Sequence, residues 1–236
     1  MTLNLRMCLA AGVAIASSMA AQAAVPAAAA SIEGVWKISR PSSSFTPTDG
    51  PIPFTADGEK AYQDNKTSLS KGDFSFDHTQ SRCSSPGIPR LALTPQPFRI
   101  WVQPETVTFQ YQWNRLIRGV DMTGRHIDQP FSGPMIGLSS GHWDGDALVI
   151  KGQYFSPDSL IDDLVPHSDS MVVDERLHLS GPDILQDEIT ITDPDDFTRP
   201  WHTEVTYSRQ PDKIFDEDDC LDRLNAGQKP LPLTKH

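Results

Sequence analysis

From about residue 98 to residue 208, apolar and polar side chains alternate in short runs. The runs fall at about 98–103, 106–113, 115–121, 136–143, 147–155, 170–179, 184–192 and 201–208. Gln103-Pro104-Glu105, Thr123-Gly124, Asp144-Gly145, Gly181-Pro182-Asp183 and Asp193-Pro194 supply turn signals between them. A period of two places alternate side chains on opposite faces of a strand, so each run predicts a strand with one buried face. Many short strands with turns between them predict a mainly β fold, a single antiparallel β-barrel, with a sandwich as the alternative. Long helical periodicity is too scarce for an α/β fold. Upstream, Pro41 to Ser70 is rich in Ser, Thr, Pro and Gly and reads as a long surface excursion, with one helix-like patch at Ala56 to Asn65.

One position breaks the pattern. In Met171-Val172-Val173-Asp174-Glu175-Arg176-Leu177-His178-Leu179 the alternation puts Met171, Val173, Leu177 and Leu179 on one face, and Glu175 lies on that same face. A carboxylate in an apolar row is costly to bury unless it is paired or used. Inside a barrel, desolvation would raise its pKa and make it a general acid or base near neutrality. The structural alternative is an ion pair with an arginine such as Arg90 or Arg115. Arg176 shares the opposite face with Asp174 and His178, a solvated face.

Composition narrows the partners. The chain of 236 residues carries 20 Lys+Arg against 31 Asp+Glu, a formal charge of −11. With no basic stripe, neither nucleic acid nor an anionic membrane is the expected partner. Residues 1–23 read as a secretory leader, with Arg6 ahead of an apolar stretch and Ala21-Gln22-Ala23 as the cleavage site. That stretch is too short to span a membrane. Residues 24–31 form an Ala/Pro linker, 32–211 the barrel domain, and 212–236 an acidic, Pro-containing tail. A leader implies a periplasmic or secreted protein. Removing it leaves Cys83 and Cys220, and an even pair in an oxidising compartment suggests a disulfide, contributing on the order of 5 kcal/mol in the chain-entropy model. A nucleophilic Cys83 is the competing reading, disfavoured by its loop-like Ser, Pro and Gly neighbours.

Candidate chemistry is sparse. His126-Ile127-Asp128, His142-Trp143-Asp144 and His167-Ser168-Asp169 each offer an imidazole and a carboxylate at i and i+2, which share a face in extended chain. None has the second-histidine spacing of a zinc motif, so no metal is expected. His167, after Pro166 in the loop leading to the Glu175 strand, is the best placed for acid–base work. His126 follows the Gly124-Arg125 turn, and Arg90 closes the turn-rich loop 81–90. Tyr111 shares a face with Val107, Phe109 and Trp113 and so becomes a hydroxyl donor inside any pocket. With no Gly-x-Ser-x-Gly elbow, phosphate loop, dinucleotide fingerprint or Cys-x-x-Cys site, no cofactor is expected.

Gly34-x-Trp36 on a first strand resembles the opening of lipocalins and related calycin barrels, whose tryptophan closes one end. A longer set resembles a largely uncharacterised group of exported bacterial proteins: Cys83 with Gly87-x-Pro89-Arg90, Gly141-x-Trp143-x-Gly145-Asp146-x-Leu148-Val149, Pro166-His167-Ser168, Glu175-Arg176, and Asp193-Pro194 through Pro200-Trp201. Members commonly have Arg where His142 stands and Gly-Arg-x-His-Pro where this chain has Gly124 to Asp128. The resemblance implies a site map and no activity. On the residues, the leading expectation is a cofactor-independent lyase, isomerase or dehydratase acting on a small hydrophobic molecule, aromatic or terpenoid, with Glu175, His167, His126, Arg90 and Tyr111 as its catalytic set. The alternative is a non-catalytic periplasmic carrier of such a molecule. A third reading, a structural domain, predicts a filled barrel with Glu175 locked to an arginine. Convergence of Glu175 and the histidines separates enzyme from carrier.

Overall fold

A computed structural model describes residues 32–129, 132–211 and 219–228. The expected leader and linker, and most of the expected tail, lie outside the described residues. Nine strands close into a barrel in sequence order. They are β1 (Gly34–Ile38), β2 (Phe98–Val102), β3 (Thr106–Tyr111), β4 (Ile117–Asp121), β5 (Leu138–Asp144), β6 (Ala147–Gln153), β7 (Val172–Gly181), β8 (Ile184–Thr192) and β9 (Trp201–Arg209). The alternation that predicts them is the alternation that is buried. On β3, Val107, Phe109 and Tyr111 face in, and on β8, Leu185, Asp187, Ile189 and Ile191 do. Pairing is antiparallel throughout except between β4 and β5, which run parallel. The crossover 122–137 carries the chain from the end of β4 back to the end where β5 starts.

The segments 39–97, 112–116, 154–171 and 193–200 all join strands at one end, while the opposite end has the turns 103–105, 145–146 and 182–183 and the start of the crossover that leaves β4. Helix α1 (Ala56–Ser70) lies in the first segment and extends beyond the helix-like patch expected from sequence. Thr55 caps it by accepting the Gly58 N–H, and Asp57 and Glu59 complement the helix dipole. A five-residue helix, α2 (His78–Arg82), follows, capped by Asp77, and then a 3₁₀ turn at Arg90–Leu93. Ile88, Leu91 and Leu93 from this region are buried in the main core. At β1, Trp36 is buried, donates its indole N–H to the Ile32 carbonyl at 2.9 Å and carries the Arg209 guanidinium 4.1 Å above its ring.

The barrel lumen is occupied by side chains. Phe98, Phe109, Tyr111 and Tyr207 make ring contacts at centroid separations of 4.9–6.2 Å, and Ile100, Leu148, Ile150, Val173 and Leu177 pack with them. Tyr111, expected as a hydroxyl donor inside any pocket, packs among these rings, because nine strands surround an interior that large rings fill.

Cys83 and Cys220 form a disulfide across a sequence separation of 137. It anchors a short helix, α3 (Cys220–Asn225), in the region read from sequence as a tail. Asn114 secures the same contact, its side-chain oxygen accepting the Cys220 N–H at 2.8 Å, and Trp113 packs on the bridge. Replacing both cysteines by serine is expected to lower unfolding stability by up to about 5 kcal/mol in urea titrations. An unchanged midpoint would show that the bridge tethers α3 alone.

Candidate functional site

A carboxylate on an inward-facing strand position needs a partner that reaches across the lumen. Arg118 is that partner. On β4 the alternation puts Arg118 and Val120 inside, with Ile117 and Gly119 outside. From there the guanidinium meets Glu175 of β7 through two parallel hydrogen bonds, Nη1 to Oε1 at 2.9 Å and Nη2 to Oε2. Its Nε donates to Ser139 Oγ of β5 at 3.0 Å, and its charge sits 5.7 Å from the centre of the Phe109 ring. The sequence offered Arg90 or Arg115 for this role. Arg115 instead occupies the β3–β4 turn at φ 53°, exposed and 3.8 Å from Asp222, while Arg90 belongs to another network.

Burial opposes the charge on Arg118, but Glu175 more than offsets it and raises the guanidinium pKa. Around this pair, burial pushes the Tyr111 and Tyr207 phenols up, so both are neutral at physiological pH. Asp187 of β8 is the remaining member. It is 2% exposed, one of its oxygens has no hydrogen-bond partner, and burial next to Glu175 raises its pKa well above the usual carboxylate range. Both Arg118 and Asp187 escaped the sequence reading, although the signal that exposed Glu175 was present for each. Asp187 lies between Leu185 and Ile189, and Arg118 lies two residues from Val120.

The other candidates lie in separate networks. Arg90 is buried at the loop-bearing end, where Nη1 and Nη2 grip Asp77 at 2.9 and 2.6 Å and Nη2 also reaches Asp163 at 2.9 Å. Asp77 thereby caps α2 and binds Arg90 at once, while the bond from Arg90 to Asp163 staples the 3₁₀ turn to the loop ahead of β7. His167 is buried too. Its Nδ1 donates to the Ser168 carbonyl at 2.7 Å, which leaves Nε2 to accept from Ser159 Oγ at 2.9 Å, and burial lowers its pKa. Neither residue lines a mouth, because the loops that carry them pack down as a lid on the core. His126 is exposed, 3.5 Å from Asp128. His142 pairs with Val149 in the β5–β6 ladder, and Asp144 takes Arg176 as its partner. Glu175 and Tyr111 thus share one cluster, while Arg90, His167 and His126 each sit elsewhere. Among the described residues, no three His, Cys, Asp or Glu side chains are grouped to hold a metal.

A cleft opens where the wall is weakest. The β4–β5 ladder holds only Val120↔Ser139 and Asp121↔Ser140. Continuing that register would set 117–119 beside 136–138, but Gly137 turns the chain away at φ 63°. No other residue fits there, since a Cβ at 137 would lie 2.4 Å from the Phe155 ring. The gap forms a solvent-open cleft of about 510 Å³. Val120, Ile127, Pro134, Ile136 and Leu138 supply apolar lining, and Arg118, Arg125, Asp121, Thr106 and Ser139 the polar part. Another depression, of about 500 Å³, is a groove beside β1 and β9 whose lining includes Ser39, Arg40, Ser42, Ser44 and Glu204.

No family model matches the chain. No curated protein matches it either. Among solved structures it is similar to a secretary abundant heat soluble (SAHS) protein from Ramazzottius varieornatus, at 13% identity and a TM-score of 0.36, over 76% of this chain and 96% of that one.

Glu175→Gln leaves a buried guanidinium without its countercharge and is expected to cost about 3–5 kcal/mol in urea unfolding, whereas the double variant Arg118→Met, Glu175→Leu should recover most of it. Equal losses in the two proteins would contradict a paired role. For Asp187, a raised folded-state pKa means that the native state loses stability as pH rises above the ordinary value of 3.8. Asp187→Asn removes that loss, so its stability relative to wild type should improve as pH rises above about 4. A pH-independent difference would show that the folded-state pKa of Asp187 is not raised.

Proposed function

We propose that the protein is an exported, non-catalytic carrier that binds a small hydrophobic molecule in the β4–β5 cleft. One observation carries this reading: an open cleft of about 510 Å³ lined by four apolar side chains that are not buried, Ile127, Pro134, Ile136 and Leu138, beside the buried Val120, at the parallel and most weakly paired seam of the barrel. Volumes of a few hundred Å³ with predominantly apolar walls and a few placed polar groups are typical of small-molecule sites. Export is supported by the Cys83–Cys220 disulfide, which persists in oxidising compartments, and by the leader-like residues 1–23. Among the described residues, no helix is long and apolar enough to cross a membrane.

Carriage is preferred to an acid–base lyase, isomerase or dehydratase because proton transfer needs donor and acceptor converging on one reacting atom. Glu175 is engaged by Arg118 through both oxygens, and His167 uses both ring nitrogens within the loop layer. A filled barrel with a locked Glu175 also suits a purely structural domain, and the wall cleft is what favours binding over that reading.

Native mass spectrometry of protein exported to a periplasm tests the proposal. Gly119 lines the cleft on an outward position where an added Cβ would meet only Thr106, 4.0 Å away, so Gly119→Phe fills the cleft without a backbone clash. The wild-type protein is expected to be two hydrogens lighter than its reduced form and to retain an organic mass that Gly119→Phe loses. The same retained mass on both proteins would place the ligand elsewhere, and a bare mass on both would favour the structural domain.

A further inference from the structure

We infer that the β4–β5 cleft selects an uncharged hydrophobic molecule with a hydrogen-bonding head, a carbonyl or carboxamide, over a fatty acid or an organic cation. This rests on the binding reading above and concerns the charge of the ligand. Two arginines line the cleft, and a basic pair beside an apolar wall would ordinarily suggest a carboxylate ligand. Both are already engaged. Arg118 gives its terminal nitrogens to Glu175 and its Nε to Ser139, and Arg125 holds Asp121 at 3.0 Å. A carboxylate at Arg118 would have to displace the buried Glu175, and one at Arg125 would meet a guanidinium that is 76% exposed, hydrated and already shared with Asp121, an exposed pair of a kind worth little. A cation fares no better, because Glu175 and Asp121 are the partners of the same two arginines.

What the cleft does offer is neutral hydrogen bonding. The β4–β5 ladder stops at Val120 and Ser139, so the β5-facing backbone edge of β4 beyond that point meets no strand. An open strand edge presents N–H donors and C=O acceptors side by side, which a carboxamide matches with both of its functions and a ketone or ester with one. Ser139 adds a donor. Its oxygen accepts from Arg118, leaving its own hydroxyl hydrogen for a second partner at the cleft. Apolar lining from Val120, Ile127, Pro134, Ile136 and Leu138 would take the hydrocarbon body. The formal charge of −11 further disfavours an anion at long range.

Isothermal titration of the oxidised, exported protein with octanamide, octanoate and octyltrimethylammonium at neutral pH decides the matter, since the three share one hydrocarbon chain and differ in head charge. Octanamide should bind at least about tenfold more tightly than either ion. Gly119→Phe should abolish octanamide binding while leaving the unfolding midpoint in place. Octanoate or the ammonium binding as tightly as octanamide would overturn the inference and leave the binding reading standing, as would octanamide binding that Gly119→Phe does not weaken for the location. If none of the three binds and the exported protein retains no organic mass, the carrier reading fails and the inference with it.

Discussion

The buried pair of Arg118 and Glu175 is the constraint around which this barrel is arranged. It joins β4 to β7 across the lumen, and through Ser139 it joins both to β5. That matters most at the β4–β5 seam, where backbone pairing is reduced to Val120↔Ser139 and Asp121↔Ser140. Side-chain hydrogen bonds there do what a longer ladder does elsewhere in the wall. Two buried charges rarely add net stability compared with a well-packed apolar core, but removing either one alone is severe, so the pair fixes one arrangement of the interior. Beside it, burial pushes the Tyr111 and Tyr207 phenols and the Asp187 carboxyl up, which disfavours further charge around the pair.

Much of the fold was legible because a half-buried strand writes its environment into every second residue. The runs from Phe98 to Arg209 match the observed strands to within a few residues, and the Asp144-Gly145 turn falls between β5 and β6. Glu175 was legible as an anomaly for the same reason. Its partner was not, since pairing across a closed barrel depends on strand order and shear, and no local spacing relates 118 to 175. The parallel β4–β5 pair was hidden too, because alternation is the same for either strand direction. Loops carry no period at all. Arg90 and His167 therefore read as loop groups available for chemistry, although Asp77 and Asp163 hold Arg90 in the interior and Ser159, Ser168 and Phe155 enclose His167.

Barrel proteins that hold small molecules commonly do so in the lumen, and the inward-facing Glu175 and Tyr111 invited that picture. Here rings and branched aliphatics fill the lumen, and the opening lies in the wall. Gly137 is the local cause, since its left-handed backbone turns the chain away from β4 over the Phe155 ring. A seam of this kind keeps the frame rigid while exposing apolar side chains and strand edge at one place. Charges near it are compensated internally, so the recognition available there is neutral.

The central claim, that the functional surface is the seam and not the lumen or the β1–β9 groove, is tested most directly by amide chemical-shift mapping. An octanamide titration of the isotopically labelled protein is predicted to perturb amides of residues 118–121 and 136–139, which flank the cleft, and to leave Arg40, Phe45, Val205 and Thr206 of the groove unchanged. Shifts confined to the groove, or distributed through the inward positions of β7 and β8 with the seam silent, would contradict it.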